Sequence, residues 1–298
     1  MQVLRLHPPP IACPPAEPKG RKTSMCTNCI PAASPYIQCS ISPGSAVKII
    51  LPTATRDFDP TEVAIPWKIL REAGVEVVFA TDTGEPGAAD PRMLDGTGLG
   101  LWKRLLIAAK PARAAYAELT RDPAFQAPLR YEDIDPAEYS GLILPGGHAK
   151  GMIPYLESAS LRRVISGFFA TGKPVGAICH GVVAAARARD ADTGRSVLFG
   201  RKTTALLERQ ELAAWRLTRH RLGDYYRTYP QTVEAEVTAA LRTPGDFVHG
   251  PKPIFRDRPT ALSRGFTLRD GTYLSARWPG DAHRFAFDYL EMLRSITP

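Results

Sequence analysis

The chain has 298 residues, 44% of them hydrophobic and 23% charged, with a formal net charge of +8. That make-up belongs to a globular protein with material for one large domain or two small ones, and no run of 18 or more apolar residues offers a membrane span. The positive charge is spread along the chain instead of forming a basic block, so no nucleic-acid-binding motif is present and attraction to acidic partners is weak and nonspecific.

Residues 1–45 carry clustered prolines (Pro8-Pro-Pro10, Pro14-Pro15), few large apolar residues and no periodicity, and read as a disordered leader. They hold Cys13, Cys26, Cys29 and Cys39, leaving Cys179 alone in the rest of the chain. That split argues against a disulfide-stapled secreted fold. The spacing of the four matches no familiar zinc knuckle, and no metal or cofactor is expected. The leader lacks the apolar core of a secretory signal, which points to the cytoplasm. Organelle targeting by the leader, or a true start at Met25 or later, are further readings.

From Val47 short apolar runs alternate with helical segments, the pattern of a mostly parallel sheet covered by helices on both faces. Residues 46–298 are therefore expected to form one α/β domain. Val47–Leu51 is a first strand. Asp59-Pro60-Thr61-Glu62 opens a helix with an N-cap Asp and a Pro at the first position, and Val63, Trp67 and Leu70 share one face. Gly74 ends it, and Val75–Ala80 is the second strand.

Residues 84–100 are rich in Gly, Pro and Asp and read as a long connection; a helix from Leu101 to about Leu119 follows, kinked or split at Pro111. Leu142–Leu144 is a third strand ending in Pro145-Gly146-Gly147-His148. Leu161–Ala170 is helical, and Val175–Ile178 is a strand that delivers Cys179 into a turn before an alanine-rich helix. Beyond residue 190 the pattern gives a short strand near Lys202–Leu206, helices over Glu208–Leu222 and Thr232–Leu241, a hairpin around Asp270-Gly271, and a last helix from Asp281 to about Ile296.

The strand, turn and helix around Cys179 form a nucleophile elbow with a thiol in the reactive position. The helix start aims its free N–H groups at the sulfur, which should favour thiolate and depress the thiol pKa. A thiol nucleophile also needs a proton carrier and oxyanion donors. His180 adjoins the cysteine. Glu62 sits near the start of the first helix at the same sheet edge, able to hydrogen-bond the thiol or to serve only as a capping carboxylate. The amides of Gly147 and His180 are the candidate oxyanion donors, with Gly146 and His148 in the same loop. Asp281 and His283 either wall the pocket or only cap the last helix.

Three separated segments, Phe58-Asp-Pro-Thr-Glu-Val-Ala-Ile-Pro-Trp67, Leu144-Pro-Gly-Gly-His-Ala149 and Ala177-Ile-Cys-His-Gly181, together resemble the ThiJ/PfpI family of the class I glutamine amidotransferase-like superfamily. The resemblance runs from about residue 46 to the C-terminus. It implies a flavodoxin-like three-layer sandwich, often dimeric, whose members include glyoxalase III-type enzymes, stress chaperones with claimed deglycase activity and intracellular peptidases. By position it makes Cys179 the nucleophile, Glu62 the acid that contacts it and Gly147 the oxyanion-hole glycine. It puts Glu208 in the place of the acid that completes a Cys-His-acid triad, with Glu here where relatives carry Asp. The segment Arg277-Trp-Pro-Gly-Asp-Ala-His283 matches the one that walls the pocket, with Trp278 and His283 departing from the usual small residues.

These readings lead to a cofactor-free glyoxalase III-like enzyme acting on a small α-oxoaldehyde such as methylglyoxal. The alternatives are a peptidase or amidase of the PfpI type using the same sulfur, and a non-catalytic redox sensor or chaperone.

Overall fold

The computed structural model describes residues 47–296. The leader over 1–45, with its four cysteines and the zinc question attached to them, lies outside the described residues.

In chain order the main elements are β1 (Lys48–Pro52), α1 (Pro60–Glu72), β2 (Glu76–Thr81), α2 (Lys110–Leu119), β3 (Leu129–Arg130), β4 (Gly141–Leu144), α3 (Ala159–Ala170), β5 (Val175–Ile178), α4 (Gly181–Arg187), α5 (Glu208–Leu222), α6 (Val233–Ala240), β6 (Thr267–Asp270), β7 (Tyr273–Ala276) and α7 (Ala282–Ile296). The strands form one seven-stranded sheet in the order β3-β2-β1-β4-β5-β7-β6. All neighbours are parallel except the β6–β7 hairpin. This is the expected mostly parallel α/β sandwich of the flavodoxin-like kind.

The central strands are apolar runs because both sheet faces are covered: Ile49, Ile50, Leu51, Leu142, Ile143, Leu144 and Ile178 have no exposed surface. Helices α1, α2 and α7 pack together on one face, and α3, α4 and α6 pack together on the other. From β1 the chain winds one way, to β2, and from β4 it winds the other way, to β5. Right-handed crossovers then send α1 and α3 to opposite faces and leave a crevice at the carboxyl ends of β1 and β4. The chemistry-bearing loops all reach that crevice.

Asp59 caps α1 as expected, its Oδ1 accepting from the amides of Thr61 (2.7 Å) and Glu62 (3.3 Å). The helix from Leu101 is split as expected, into Lys103–Leu106 and α2, because Pro111 forbids a helical Ile107 carbonyl ahead of it. Other expectations shift. The connection over 84–100 holds a two-residue strand, Ala88–Ala89, paired with Arg56–Phe58, and a short helix, Pro91–Asp95, capped by Asp90.

Lys202–Leu206 forms no strand: Thr203 makes a single bridge to Phe247, in a segment laid beside the loop after α6. The hairpin turn falls one residue later than expected. Asp270 already pairs with Tyr273, and Gly271 and Thr272 make the turn, with Gly271 at φ 62°.

Candidate active site

Three strand ends build the site. After β5, Cys179 adopts φ 58°, one of two non-glycine residues with positive φ among those described. The left-handed conformation costs an L-residue on the order of 1 kcal/mol and persists only where the surroundings enforce it. Here the enforcement is Gly181. A Cβ at that position would lie 2.0 Å from the Leu144 carbonyl oxygen, so only glycine lets the elbow press against β4. Gly146 is similarly constrained. A Cβ there would stand 2.6 Å from the His180 amide nitrogen, 3.0 Å from Glu62 Oε2 and 3.1 Å from Cys179 Cβ, so these three residues converge on one point.

Glu62 is fully buried, and its Oε2 accepts from the Gly146 amide at 2.8 Å. Its Oε1 has no partner among the described residues. Burial, with the charge of Asp59 behind it, pushes the Glu62 carboxyl well above the usual carboxylate range. Burial thus favours the protonated form of Glu62, next to the thiol. It does not cap α1, since Asp59 does.

Cys179 has no exposed surface. Burial, followed by the nearby Glu62 and Asp59 carboxyls, pushes its thiol well above the ordinary cysteine value. This corrects the expectation of a depressed thiol pKa. The amide of His180 does favour the thiolate, but desolvation outweighs it. At rest the sulfur is protonated.

His180 is also buried, and its Nδ1 lies 3.5 Å from Cys179 Sγ. Its Nε2 lies 3.2 Å from the Thr228 hydroxyl, and that hydroxyl donates to the His148 carbonyl at 2.7 Å. A hydroxyl has one proton to give. With that proton committed to His148, Thr228 accepts from His180 Nε2–H, and Nδ1 is left as a lone-pair acceptor facing the sulfur. Burial, then the charges of His148 and Arg187, holds the imidazole well below its ordinary pKa, so it is a neutral base.

The Glu208 expectation is overturned. Glu208 is exposed at the start of α5, and its Oε2 accepts from Thr232 Oγ1 at 3.0 Å. The group at His180 Nε2 is Thr228, which the sequence reading had not singled out. The buried acid of α5 is Glu211, one turn on. It pairs with Arg227 at 3.4 Å, accepts from the Val233 amide at 2.9 Å, and is pushed up to about 7 by burial. It anchors the segment that carries Thr228.

The other expected residues divide. Gly147 lies against the start of α1, and its amide has no hydrogen-bond partner among the described residues. The His148 ring sits edge-on to His180, with ring centres 5.2 Å apart, and burial pushes it down to about 4. Asp281 is not a ligand-facing group. It is fully buried, forms a two-pronged pair with the equally buried Arg277 at 2.9 and 3.0 Å, and accepts from the Phe266 amide. His283 is held by Asp257 at 2.9 Å, away from the sulfur. Both serve the junction into α7.

No group of three His, Cys, Asp or Glu residues among those described is arranged to hold a metal ion. Among the described residues no helix is long and apolar enough to cross a membrane.

The chain is 29% identical over 153 residues to a glutathione-independent glyoxalase of Schizosaccharomyces pombe, a match covering 51% of this chain and 59% of that protein. It is 25% identical over 166 residues to a deglycase of Thermococcus kodakarensis, covering 56% of this chain and 69% of the relative. The first match thus spans about three fifths of the relative's length. In fold it resembles the crystal structure of glyoxalase III from Candida albicans, with a TM-score of 0.59 at 18% identity over 83% of this chain and 97% of that one. The family model described as ThiJ/PfpI family-like matches residues 53–251, two thirds of the chain, and the protein belongs to that family.

Proposed function

We propose that the protein is a glyoxalase of the cofactor-free type, converting an α-oxoaldehyde and water to a 2-hydroxy acid. The carrying observation is the oriented pair at its centre, a neutral His180 with its Nδ1 lone pair facing the Cys179 thiol at 3.5 Å. Relatives named glyoxalase and deglycase support an enzyme acting on carbonyl compounds or their adducts.

The thiol adds to the aldehyde carbon as its proton passes to Nδ1. The oxygen that becomes negative is met by the unpaired Gly147 amide and by the His180 amide, then takes the proton back from His180 to give a thiohemiacetal. Neutral again, His180 removes the hydrogen from C1. The electron pair moves toward C2 to form an enediolate; the proton of the C1 hydroxyl passes to the C2 oxygen, and the proton held by His180 returned at C2 gives a 2-hydroxyacyl thioester. Water cleaves the thioester, releasing the hydroxy acid and the thiol. One water is added, and the oxidation of C1 is balanced by the reduction of C2.

Every charge in this scheme is transient, which suits a site buried this deeply. Neutral Glu62 beside the sulfur donates to the developing negative charge where a carboxylate would repel it. The test is lactate formation from methylglyoxal by the wild type and by Cys179→Ala. Turnover that vanishes in the variant supports the proposal, and turnover that survives in it removes the sulfur from the reaction.

A further inference from the structure

Beside the site lies a cavity of about 240 Å³ lined mainly by apolar side chains, among them Met93, Leu206, Leu217, Ile254 and Trp278, with Ala213 and Ala214 of α5 forming part of one side and Gln210, Tyr226 and Arg256 as its polar members. Its inner end is His148, whose ring is the next one to His180. Met93, His148 and Tyr226 also line a recess of about 10 Å³ shared with Asp57, Asp59, Asp90 and Gly147, so the cavity adjoins the oxyanion donor at His148. At its outer end Leu105 and Ile254 are 59% and 69% exposed, and the neighbouring Phe255 is 65% exposed. The apolar lining thus runs out onto an apolar lip.

This volume equals about eight water molecules. A three-carbon oxoaldehyde leaves most of it to water held against mostly apolar walls, an arrangement that gains little from the apolar surface. The walls instead match a hydrocarbon group attached to the reacting carbonyl. We propose that the substrates of this site are α-oxoaldehydes with an apolar tail of several carbons, the tail lying between α5 and the Ile254 segment while the carbonyl reaches Cys179 past His148. The inference rests on the glyoxalase reading of the site and names its substrate class.

Each buried methylene is worth roughly fourfold in affinity or kcat/KM. Along the series methylglyoxal, 2-oxobutanal, 2-oxohexanal and 2-oxooctanal, kcat/KM is expected to rise by about that factor per carbon until the cavity is full. Ala214→Phe narrows the cavity and brings the ratio of 2-oxooctanal to methylglyoxal down toward one. Leu217→Ala widens it and moves the best chain length upward. Each variant is read as a ratio of two substrates, so a general loss of folded enzyme does not imitate the effect.

A second measurement does not need turnover. Binding of the unreactive 2-oxo acids from pyruvate to 2-oxooctanoate by the Cys179→Ala variant, measured by calorimetry, should tighten along the same series. Turnover of methylglyoxal with a flat dependence on chain length and flat binding overturns the inference while leaving the reaction intact. Graded binding without turnover of any oxoaldehyde keeps the cavity assignment and removes the glyoxalase reading. Flat binding without turnover removes both.

Discussion

Thr228 Oγ1 stands 3.2 Å from His180 Nε2 and donates its own hydrogen bond to the carbonyl of His148 at 2.7 Å. The tautomer of the His180 imidazole is thereby fixed by a hydroxyl, where the family resemblance implied a carboxylate. A hydroxyl orients the ring without stabilising an imidazolium as a carboxylate would, which fits a histidine that carries a proton only briefly.

Thr228→Val keeps the side-chain shape and removes the acceptor. It should lower kcat/KM for an α-oxoaldehyde by about 10- to 100-fold. Thr228→Ser should restore most of the loss. Nitrogen NMR shifts of His180 report the tautomer directly: the wild type is protonated at Nε2, and the valine variant should mix the two forms. An unchanged rate and an unchanged spectrum would remove Thr228 from the mechanism.

Glu208→Gln gives the opposite expectation. The carboxyl is exposed and touches Thr232 instead of His180, so kcat/KM should stay within about twofold, and stability should fall by no more than about 1 kcal/mol. Steady-state kinetics and urea unfolding decide this. A loss of several hundredfold would restore the acid to the triad.

The raised thiol pKa has a chemical signature. Alkylation proceeds through thiolate, so the rate of Cys179 labelling by iodoacetamide should be slow at pH 7 and climb about tenfold per pH unit without levelling below pH 9. Peptide mass spectrometry separates this site from the cysteines before residue 45. Rapid labelling that is flat from pH 6 upward would mean a stable thiolate, against the burial and the neighbouring carboxyls.

Arg277 and Asp281 are both fully buried and bonded to each other, to the Phe266 and Arg277 amides and to the carbonyls of His249 and Pro251, with the guanidinium over the Phe266 ring. Asp281→Asn or Arg277→Met leaves one charge buried without its counterpart, and should cost about 3–5 kcal/mol in urea unfolding. Methylglyoxal turnover per folded molecule should persist. A stable Asp281→Asn protein with a raised KM would return Asp281 to the pocket wall.

The His148 ring gives stability a pH dependence of known sign. Its folded pKa of about 4 lies below the ordinary 6.5, so as pH falls from 6.5 to 4 the unfolded chain binds a proton that the folded chain refuses. Stability from this residue is present above pH 6.5 and lost toward pH 4, by about 3 kcal/mol. His148→Asn should flatten the fall of Tm with acid over that window. A parallel curve for the two proteins would show that the ring titrates normally.

The residues whose positions follow from local rules were legible in the sequence. Asp59-Pro60 announced α1, the glycines around residue 146 announced a loop with no room for side chains, and Cys179 before Gly181 announced the elbow, because each answers to backbone geometry within a few residues. Thr228 was not legible. It sits in a segment with no periodicity, and only the anchoring of that segment by Glu211 and Arg227 carries its hydroxyl to His180. Glu208 was misleading for the same reason, since one helical turn separates an exposed carboxylate from a buried one. The thiol pKa followed the helix start in sequence terms, but burial beside Glu62 decides it.

If Cys179 bonds covalently to the carbonyl carbon and gives it up as a hydroxy acid, the adduct must be observable during turnover. The most direct measurement is rapid-quench mass spectrometry of the enzyme mixed with methylglyoxal, alongside the lactate released. The account predicts an adduct of one methylglyoxal on the Cys179 peptide that decays as lactate appears, with neither adduct nor lactate in Cys179→Ala. Lactate formed by that variant at the wild-type rate, or a wild-type enzyme giving neither adduct nor lactate, would contradict it.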